Sequence, residues 1–409
     1  MQGYKPFRTC CICGSNYATS LYDIRFKLFD GHPMKDGYEV VECEQCNFVY
    51  ADTHVTQNDL DIYYKELSKY EDKTIGTGGG YTPEDKDRLH KAAISIKENV
   101  DDKSIRILDL GCANGGLLKE LKELGFTNLV GVDPSLNCVN TTIHEVGCEA
   151  FQSSAFDLRD DKLGKFDLII LSHVLEHILD ITSIINHLKS LLNKNGMVYV
   201  ECPNAENYYK VIHAPVQEFN TEHINHFTKV SFQNLFGLNG FDKIVTGNRV
   251  IKIASQQDYN VVYGIFRKKE DFSYQIKKDE KIHERILDYI KESELLLKAI
   301  EEEISKLISY KPIALYGIGQ FAFKLLASPV LNNGRLKLFD NNTSNVGKTI
   351  NGAHILAGNT IKNEFLKEEF TLVITSLIHE EGIRKQIQSS FQDQNNRPAI
   401  IGFKKYLKD

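Results

Sequence analysis

The sequence predicts an α/β protein in three parts: a small N-terminal module built on cysteine pairs, a doubly wound domain with a mainly parallel sheet, and a smaller domain of the same kind at the C-terminus. Three observations predict this. Two C-x-x-C pairs lie near the N-terminus. From about residue 80 to 265, apolar strand-like runs alternate with amphipathic helical stretches, a pattern that builds parallel sheets. The alternation resumes at Pro312, after one long helical stretch. A chain of 409 residues also exceeds the ~250 at which single cores stop growing.

Composition narrows the class. With 42% hydrophobic and 25% charged residues this is an ordinary folded chain. No run approaches the ~20 apolar residues that span a bilayer. The start, Met1-Gln2-Gly3-Tyr4-Lys5, lacks the apolar stretch of a signal peptide, so a cytoplasmic protein is expected. The net charge is −6, with acids and bases interspersed. Nucleic acids and anionic membranes require a basic footprint, so neither is an expected partner.

The first part covers residues 1–75. Cys10-x-x-Cys13-Gly14 and Cys43-x-x-Cys46-Asn47 have the spacing of two halves of a tetrahedral site. Two intervening residues let both sulfurs of a pair face one ion, and four thiolates close a structural zinc site. Gly14 and Asn47 tolerate the positive φ that such a knuckle turn needs. Cys11 sits between the first pair and is read as a bystander. A redox C-x-x-C is the alternative, but it normally occurs once and opens a helix. Farther on, Asp61-Ile62-Tyr63-Tyr64 and Ser68-Lys69-Tyr70-Glu71 form a tyrosine-rich stretch, either a lid or a packed amphipathic helix.

The second part covers residues 80–265, with strands expected at Ile105–Leu110, Leu129–Val132, Phe166–Leu171 and Met197–Val200. The first runs into Gly111-Cys112-Ala113-Asn114-Gly115-Gly116 and then a helix, Leu117–Leu124. Small residues let a ligand approach the backbone, and the helix start offers N–H groups. Gly131-Val132-Asp133-Pro134-Ser135 follows the second strand. An acid there, about twenty residues past the loop, suits the ribose hydroxyls of an adenosine cofactor.

The third part covers residues 278–409. It opens on a helical pattern at about 280–309, with Ile282, Ile286, Ile290, Leu297, Ile300, Ile304 and Leu307 spaced by three, four or seven. That helix bridges domains or gives a homodimer a place to form; a monomer remains equally open. Strands are expected at Ile313–Tyr316, Leu336–Phe339 and Thr371–Thr375. Tyr316-Gly317-Ile318-Gly319-Gln320-Phe321-Ala322, with Asp340 at the end of the next strand, is a degenerate dinucleotide fingerprint.

The wording L-D-L-G-C-A-N-G resembles motif I of the class I S-adenosylmethionine-dependent methyltransferases. So do Lys165-Phe166-Asp167, which opens an apolar strand ending in His173-Val174-Leu175-Glu176-His177, and the loop Ser153-Ser154-Ala155-Phe156-Asp157. The resemblance covers roughly residues 100 to 245 and implies S-adenosylmethionine as cofactor. It places Asp109 and Gly111, with Cys112, Asn114 and Gly115, beside the methionine moiety. Asp133 and Pro134 then hold the ribose, and Phe156 or Asp157 reaches the adenine. His173 lies where cofactor and substrate meet, or else caps the helix that follows; Glu176 and His177 read as structural.

The order of the three parts resembles the zinc-containing sugar C-methyltransferases, which act on nucleotide-linked keto-deoxysugars. There a Y-H-E-H segment supplies a general base. Glu222-His223 matches its last two residues, while Asn220 and Thr221 replace its tyrosine and first histidine. The resemblance therefore implies a nucleotide-sugar substrate and a catalytic His223 with Glu222. In that family the C-terminal domain adjoins the nucleotide; here a scaffold role and a separate NAD site are the alternatives. The E-H dyad also fits an O-methyltransferase acting in surface-polysaccharide assembly, and the alternative for His223 is a hydrogen-bonded loop residue. An RNA methyltransferase with a four-cysteine module is disfavoured by 8 Lys+Arg against 12 Asp+Glu in residues 1–74, a net −4. A non-catalytic binding protein is disfavoured by the retained Gly111, Asp133 and Glu222-His223.

Overall fold

The computed structural model describes residues 4–66, 78–156, 158, 163–254, 257–270, 273–308, 311–331, 336–391 and 397–407. Asp157 and the segment Ser68-Lys69-Tyr70-Glu71 lie outside the described residues. In chain order come β1 (Ala18–Arg25), β2 (Gly37–Cys43), β3 (Val49–Asp52) and α1 (Gln57–Glu66). Next are α2 (Pro83–Lys97), β4 (Arg106–Leu110), α3 (Gly116–Glu123), β5 (Asn128–Asp133), α4 (Leu136–Val146) and β6 (Glu149–Gln152). They are followed by β7 (Phe166–Ser172), α5 (Ile181–Leu191), β8 (Leu192–Pro203), β9 (Asn225–His226), α6 (Lys229–Leu238), β10 (Phe241–Ala254) and β11 (Gln257–Lys268). The chain packs into two compact units, neither of them continuous in sequence.

The first unit comprises residues 1–20, 41–208 and 222–285. Its seven-stranded sheet has the order β10-β11-β8-β7-β4-β5-β6. Pairings among β6, β5, β4, β7 and β8 are parallel, while β11 lies antiparallel to both β8 and β10. Two cores follow from the pleat, because successive residues point to opposite faces. Leu108, Val130, Ile169 and Val198 bury on one face with Ile184, Ile185 and Leu188 of α5. Ile107, Leu129, Leu168 and Ile170 bury on the other with Leu117, Leu118 and Leu121 of α3 and Ala92 and Ile96 of α2. Both faces are covered, which is why these strands read as continuous apolar runs. Two of the helices start at side-chain caps: for α2, Thr82 accepts from the Asp85 N–H at 3.1 Å, and for α4, Ser135 from that of Cys138 at 3.2 Å.

The second unit comprises residues 21–40, 209–221 and 286–409. The helix α7 (Ile282–Ile308) is followed by β12 (Ile313–Tyr316), α8 (Gln320–Ala327), β13 (Leu336–Asp340), β14 (Thr349–Ile350), β15 (Ala353–Ala357), α9 (Ile361–Lys367), β16 (Thr371–Ile374), α10 (Glu380–Ser390) and β17 (Ile400–Ile401). Its sheet has the order β14-β15-β13-β12-β16-β17, parallel except at the β14–β15 hairpin. The Asp340 carboxylate accepts from the Ile318 N–H at 2.9 Å in the glycine turn after β12, and from the Asn342 N–H at 2.9 Å. Gly317, at φ +94°, sits where a Cβ would come within 2.9 Å of Ser376. Among the described residues, no helix is long and apolar enough to cross a membrane.

Candidate functional site

The carboxyl ends of β4, β5 and β7 carry Gly111, Asp133 and His173. Gly111 leaves β4 at φ +79°, and its N–H and that of Cys112 both donate to Val132 O, at 2.8 and 3.0 Å. The turn continues through Ala113, itself at φ +46°, to Gly115 at φ +78°, which precedes α3. Asp133 ties the turn to the next strand: Oδ2 accepts from the Ala113 N–H at 2.9 Å and Oδ1 from the Ser135 N–H at 2.9 Å. Pro134 O accepts from Gln152 at 3.0 Å, Asn114 is buried, and Phe156 packs on the core. The Cys112 thiol turns inward against Gly131 and Thr142, so only its backbone belongs to the turn.

Two features of this turn were not legible in the sequence. The Gly116 N–H, at the start of α3, is taken by Gly78 O at 2.9 Å, so a second glycine segment lies over the turn. That segment is held by Asp85, whose Oδ2 accepts from the N–H groups of Gly78 and Gly80 at 2.9 and 2.7 Å and whose Oδ1 accepts from Arg88 at 2.8 Å. The buried Asp109 carboxyl sits at about 7, pushed up by desolvation and by the charge of Asp133 and moderated by Arg88. Arg88 is thus a cation that acts on the buried Asp109, and its position in α2 gave no signal. A Cβ at Gly116 would lie 2.7 Å from Gly78 O and 2.6 Å from Leu89. Gly116→Ala is therefore expected to weaken S-adenosylmethionine binding at least tenfold by titration calorimetry; unchanged affinity would remove the Gly78 segment from the site.

After β7 the chain turns sharply. His173 has φ +56°, uncommon for a residue with a side chain, and its N–H donates to Glu201 O at 2.8 Å. Its ring meets Glu176 Oε1 at 3.2 Å and Glu201 Oε1 at 3.5 Å. Burial opposes its charge, yet the two carboxylates hold the imidazolium up at about 9. Glu201 in turn contacts the Arg249 guanidinium and accepts from Tyr199 OH at 2.9 Å. Burial works against the charged form of Glu176 and Glu201, but their cationic neighbours keep both near about 2. His173 is thus a charged tie between β7 and β8 rather than a helix cap.

A second cluster lies beside the first. His177 Nδ1 is 3.0 Å from the Glu222 carbonyl, a partner that only accepts, so Nδ1 carries the hydrogen and Nε2 the lone pair. The His177 and His223 rings are 5.0 Å apart, and donor atoms of Glu176, His177 and His223 all fall within 4.8 Å of one another. Burial, with His223 adding to it and Glu176 opposing it, depresses His177 to about 4. On α1, Tyr63 donates to Glu222 Oε1 at 2.9 Å, and Tyr64 packs edge-on to His177 with centroids 5.7 Å apart. The structure therefore brings together Glu222, His223 and the tyrosines of α1. It adds His177, which sequence reading assigned to structure alone. His226 contacts Tyr208 OH at 3.3 Å and is fully buried, apart from this cluster.

The two cysteine knuckles repeat one pattern. Gly14 N donates to Cys10 O at 2.8 Å and Asn47 N to Cys43 O at 2.9 Å; Cys10 N donates to Ser15 O and Cys43 N to Phe48 O, both at 2.9 Å. Gly14 and Asn47 have φ +74° and +60°. Cys10 Sγ lies 3.6 Å from Cys46 Sγ, and Cys13 Sγ 3.4 Å from Cys43 Sγ. Cys11 Sγ points away to Asn225 Oδ1 at 3.7 Å.

A family model described as a methyltransferase domain matches residues 85–246. A ubiquinone biosynthesis O-methyltransferase of Azorhizobium caulinodans is 33% identical over 107 residues, 25% of this chain and 42% of that protein. One of Pelagibacter ubique is 31% identical over 107 residues, 25% of this chain and 43% of it. The chain thus spans less than half the length of the curated relatives it matches. A magnesium protoporphyrin IX methyltransferase from Synechocystis is a structural neighbour at 17% identity and TM-score 0.39, covering 52% of this chain and 99% of that one. Residues 85–246 are thus a methyltransferase domain, and the chain that carries them is an enzyme.

Proposed function

We propose that the chain methylates a nucleotide-linked keto-sugar at the carbon beside its carbonyl, with His223 as the general base. The observation that carries this reading is the imidazole pair: His177, held as the neutral Nδ1–H tautomer by Glu222 O, lies ring to ring with His223 in the methyltransferase domain. The second glycine turn with its acid, Gly317 to Asp340, supports a nucleotide-bearing acceptor by resemblance.

Gly111, Gly115, Asp109, Asp133 and Arg88 fit the cofactor, since glycines at φ +79° and +78° shape the turn and it carries acids for amine and hydroxyl groups. S-adenosylmethionine supplies an electrophilic methyl on a sulfonium. His223 takes the proton α to the sugar carbonyl, and the carbon so freed attacks the methyl as the carbon–sulfur bond breaks. The products are the methylated ketone, S-adenosylhomocysteine and a protonated base. His177, neutral at pH 7, leaves that proton to His223 and keeps the Glu222 peptide in place. Oxygen methylation is the second reading, favoured by the names of the curated relatives; the same histidine would then deprotonate a hydroxyl.

Mass analysis of keto and reduced nucleotide-deoxysugars, incubated side by side with methyl-labelled cofactor, tests the proposal. Methylation of the keto forms alone is the expected result. Label in the reduced sugars instead would give the oxygen reading, and label in neither would sink the nucleotide-sugar.

The four cysteines fit a structural zinc, which supplies fold stability and no chemistry because four thiolates close the site. Zinc–sulfur bonds of about 2.3 Å in a tetrahedron set sulfurs about 3.8 Å apart, near the spacing found here. One zinc per chain is expected by metal analysis. Cys43→Ser is expected to lose it and to melt at least 10 °C lower; a fully stable, metal-free variant would overturn the assignment.

A further inference from the structure

Residues 209–221 belong to the second unit, and the chain re-enters the first at Glu222. Within the second unit this stretch is tied through its backbone. Lys324 Nζ donates to Val216 O at 2.6 Å, the Glu218 N–H donates to Tyr289 OH at 2.8 Å, and Tyr38 OH donates to Asn220 O at 2.9 Å. Val216 has φ +43°, a conformation a β-branched residue holds only when its surroundings enforce it. The last residue, Thr221, is gripped twice by one side chain. Its N–H donates to Gln320 Oε1 at 3.2 Å, and its hydroxyl accepts from Gln320 Nε2 at 2.7 Å. The next carbonyl along the chain, that of Glu222, is the one that holds His177 Nδ1.

We propose that Gln320 is a positioning residue for the His177–His223 pair. It fixes the peptide nitrogen of Thr221, one residue before the carbonyl that sets the tautomer and plane of His177 and two before His223 itself. An amide suits the task because its donor and acceptor lie in one plane and match the N–H and hydroxyl of Thr221. Gln320 is also the first residue of α8, directly after the Gly317–Gly319 turn. The inference rests on the imidazole pair being the proton-transfer centre.

The test compares Gln320→Leu with Gln320→Glu in the full-length protein. Leucine removes both bonds. Glutamate keeps an acceptor for the Thr221 N–H, and the threonine hydroxyl turns to donate to its second oxygen. Misplacing a reacting group by about 1 Å costs on the order of a hundredfold. Gln320→Leu is therefore expected to lower kcat roughly 10- to 100-fold, with the KM for S-adenosylmethionine and the melting temperature unchanged, and Gln320→Glu to recover most of it. Carbon-13 signals of the His177 and His223 rings should move in the leucine variant and return in the glutamate variant. That readout needs no acceptor, so it judges Gln320 even if no nucleotide-sugar is methylated. Wild-type ring signals and kcat in Gln320→Leu would overturn the proposal. So would a kcat loss matched by a lower melting temperature with unmoved rings, since Gln320 would then be a brace only.

Discussion

His223→Gln is expected to slow methyl transfer by about 10²- to 10⁴-fold, the usual contribution of a positioned general base, while S-adenosylmethionine binds as before. Glutamine keeps the size and one hydrogen-bonding end of the imidazole but accepts no proton near neutrality. A more specific form of the result follows from the chemistry. With a keto-sugar in D2O and no cofactor, the wild-type enzyme should exchange the hydrogen α to the carbonyl, and His223→Gln should not. Exchange without the methyl donor separates proton removal from methyl transfer, which an activity loss alone does not. His177→Gln should also slow exchange, through loss of the Nδ1–H bond to Glu222 O. The acid side of the pH profile carries a further mark. His177 is held at about 4, so it stays neutral down to that pH and charges below it. Full exchange activity in His223→Gln would remove the base from this site.

Most of the doubly wound domain was legible because its strands are buried on both faces and so read as apolar runs. Ile313–Tyr316 was placed to the residue; the others differ at their ends. Arg106–Leu110 begins one residue later than expected, and Leu192–Pro203 begins before Met197 because Asn193, Lys194 and Asn195 are exposed and carry no apolar pattern. The hairpin Phe241–Ala254 with Gln257–Lys268 was missed because its outer strand is exposed along much of its length and mixes Lys, Arg and Asn with its apolar residues. The long helix, expected at 280–309, runs from Ile282 to Ile308.

The site divides by a different rule. Local turns were readable: the glycine turn at Gly111 and Gly115 with Asp133 beside it, and the two cysteine knuckles, from their spacing. Residues that meet across the chain were not. His177 looked structural because its partner carbonyl lies 45 positions away, and Tyr63 looked like a helix face because its acceptor lies 159 positions away. Asp85 and Arg88 sit on a helix whose charged positions look like any solvated face. Nothing in residues 21–40 or 209–221 signalled that they pack with the C-terminal domain rather than with their neighbours in sequence.

The second large effect falls on Arg249. Glu201 is fully buried, and Arg249 is the cation that contacts its Oε2 while His173 faces Oε1. Arg249→Met leaves a buried carboxylate short of its main partner, which typically costs about 3–5 kcal/mol. The urea midpoint should fall accordingly. Arg249→Met combined with Glu201→Met should recover most of the loss, because no charge is then left uncompensated. The pH dependence fixes the sign of the remaining contributions. His173 is raised from 6.5 to about 9, so the stability it adds is complete below 6.5 and is lost as pH climbs through 9. That shift is worth on the order of 3–4 kcal/mol at about 1.4 kcal/mol per pKa unit. Glu176 and Glu201 are lowered from 4.5 to about 2, so their contribution is complete above 4.5 and is lost as pH falls through 2. Both contributions are therefore complete only between about 4.5 and 6.5. Removing Arg249 weakens what holds Glu201 down, so acid unfolding should begin at a higher pH in the single variant. A single variant with the wild-type midpoint at pH 5.5 would show that Arg249 does not compensate Glu201. A double variant no better than the single would place the cost in lost packing rather than in the stranded charge.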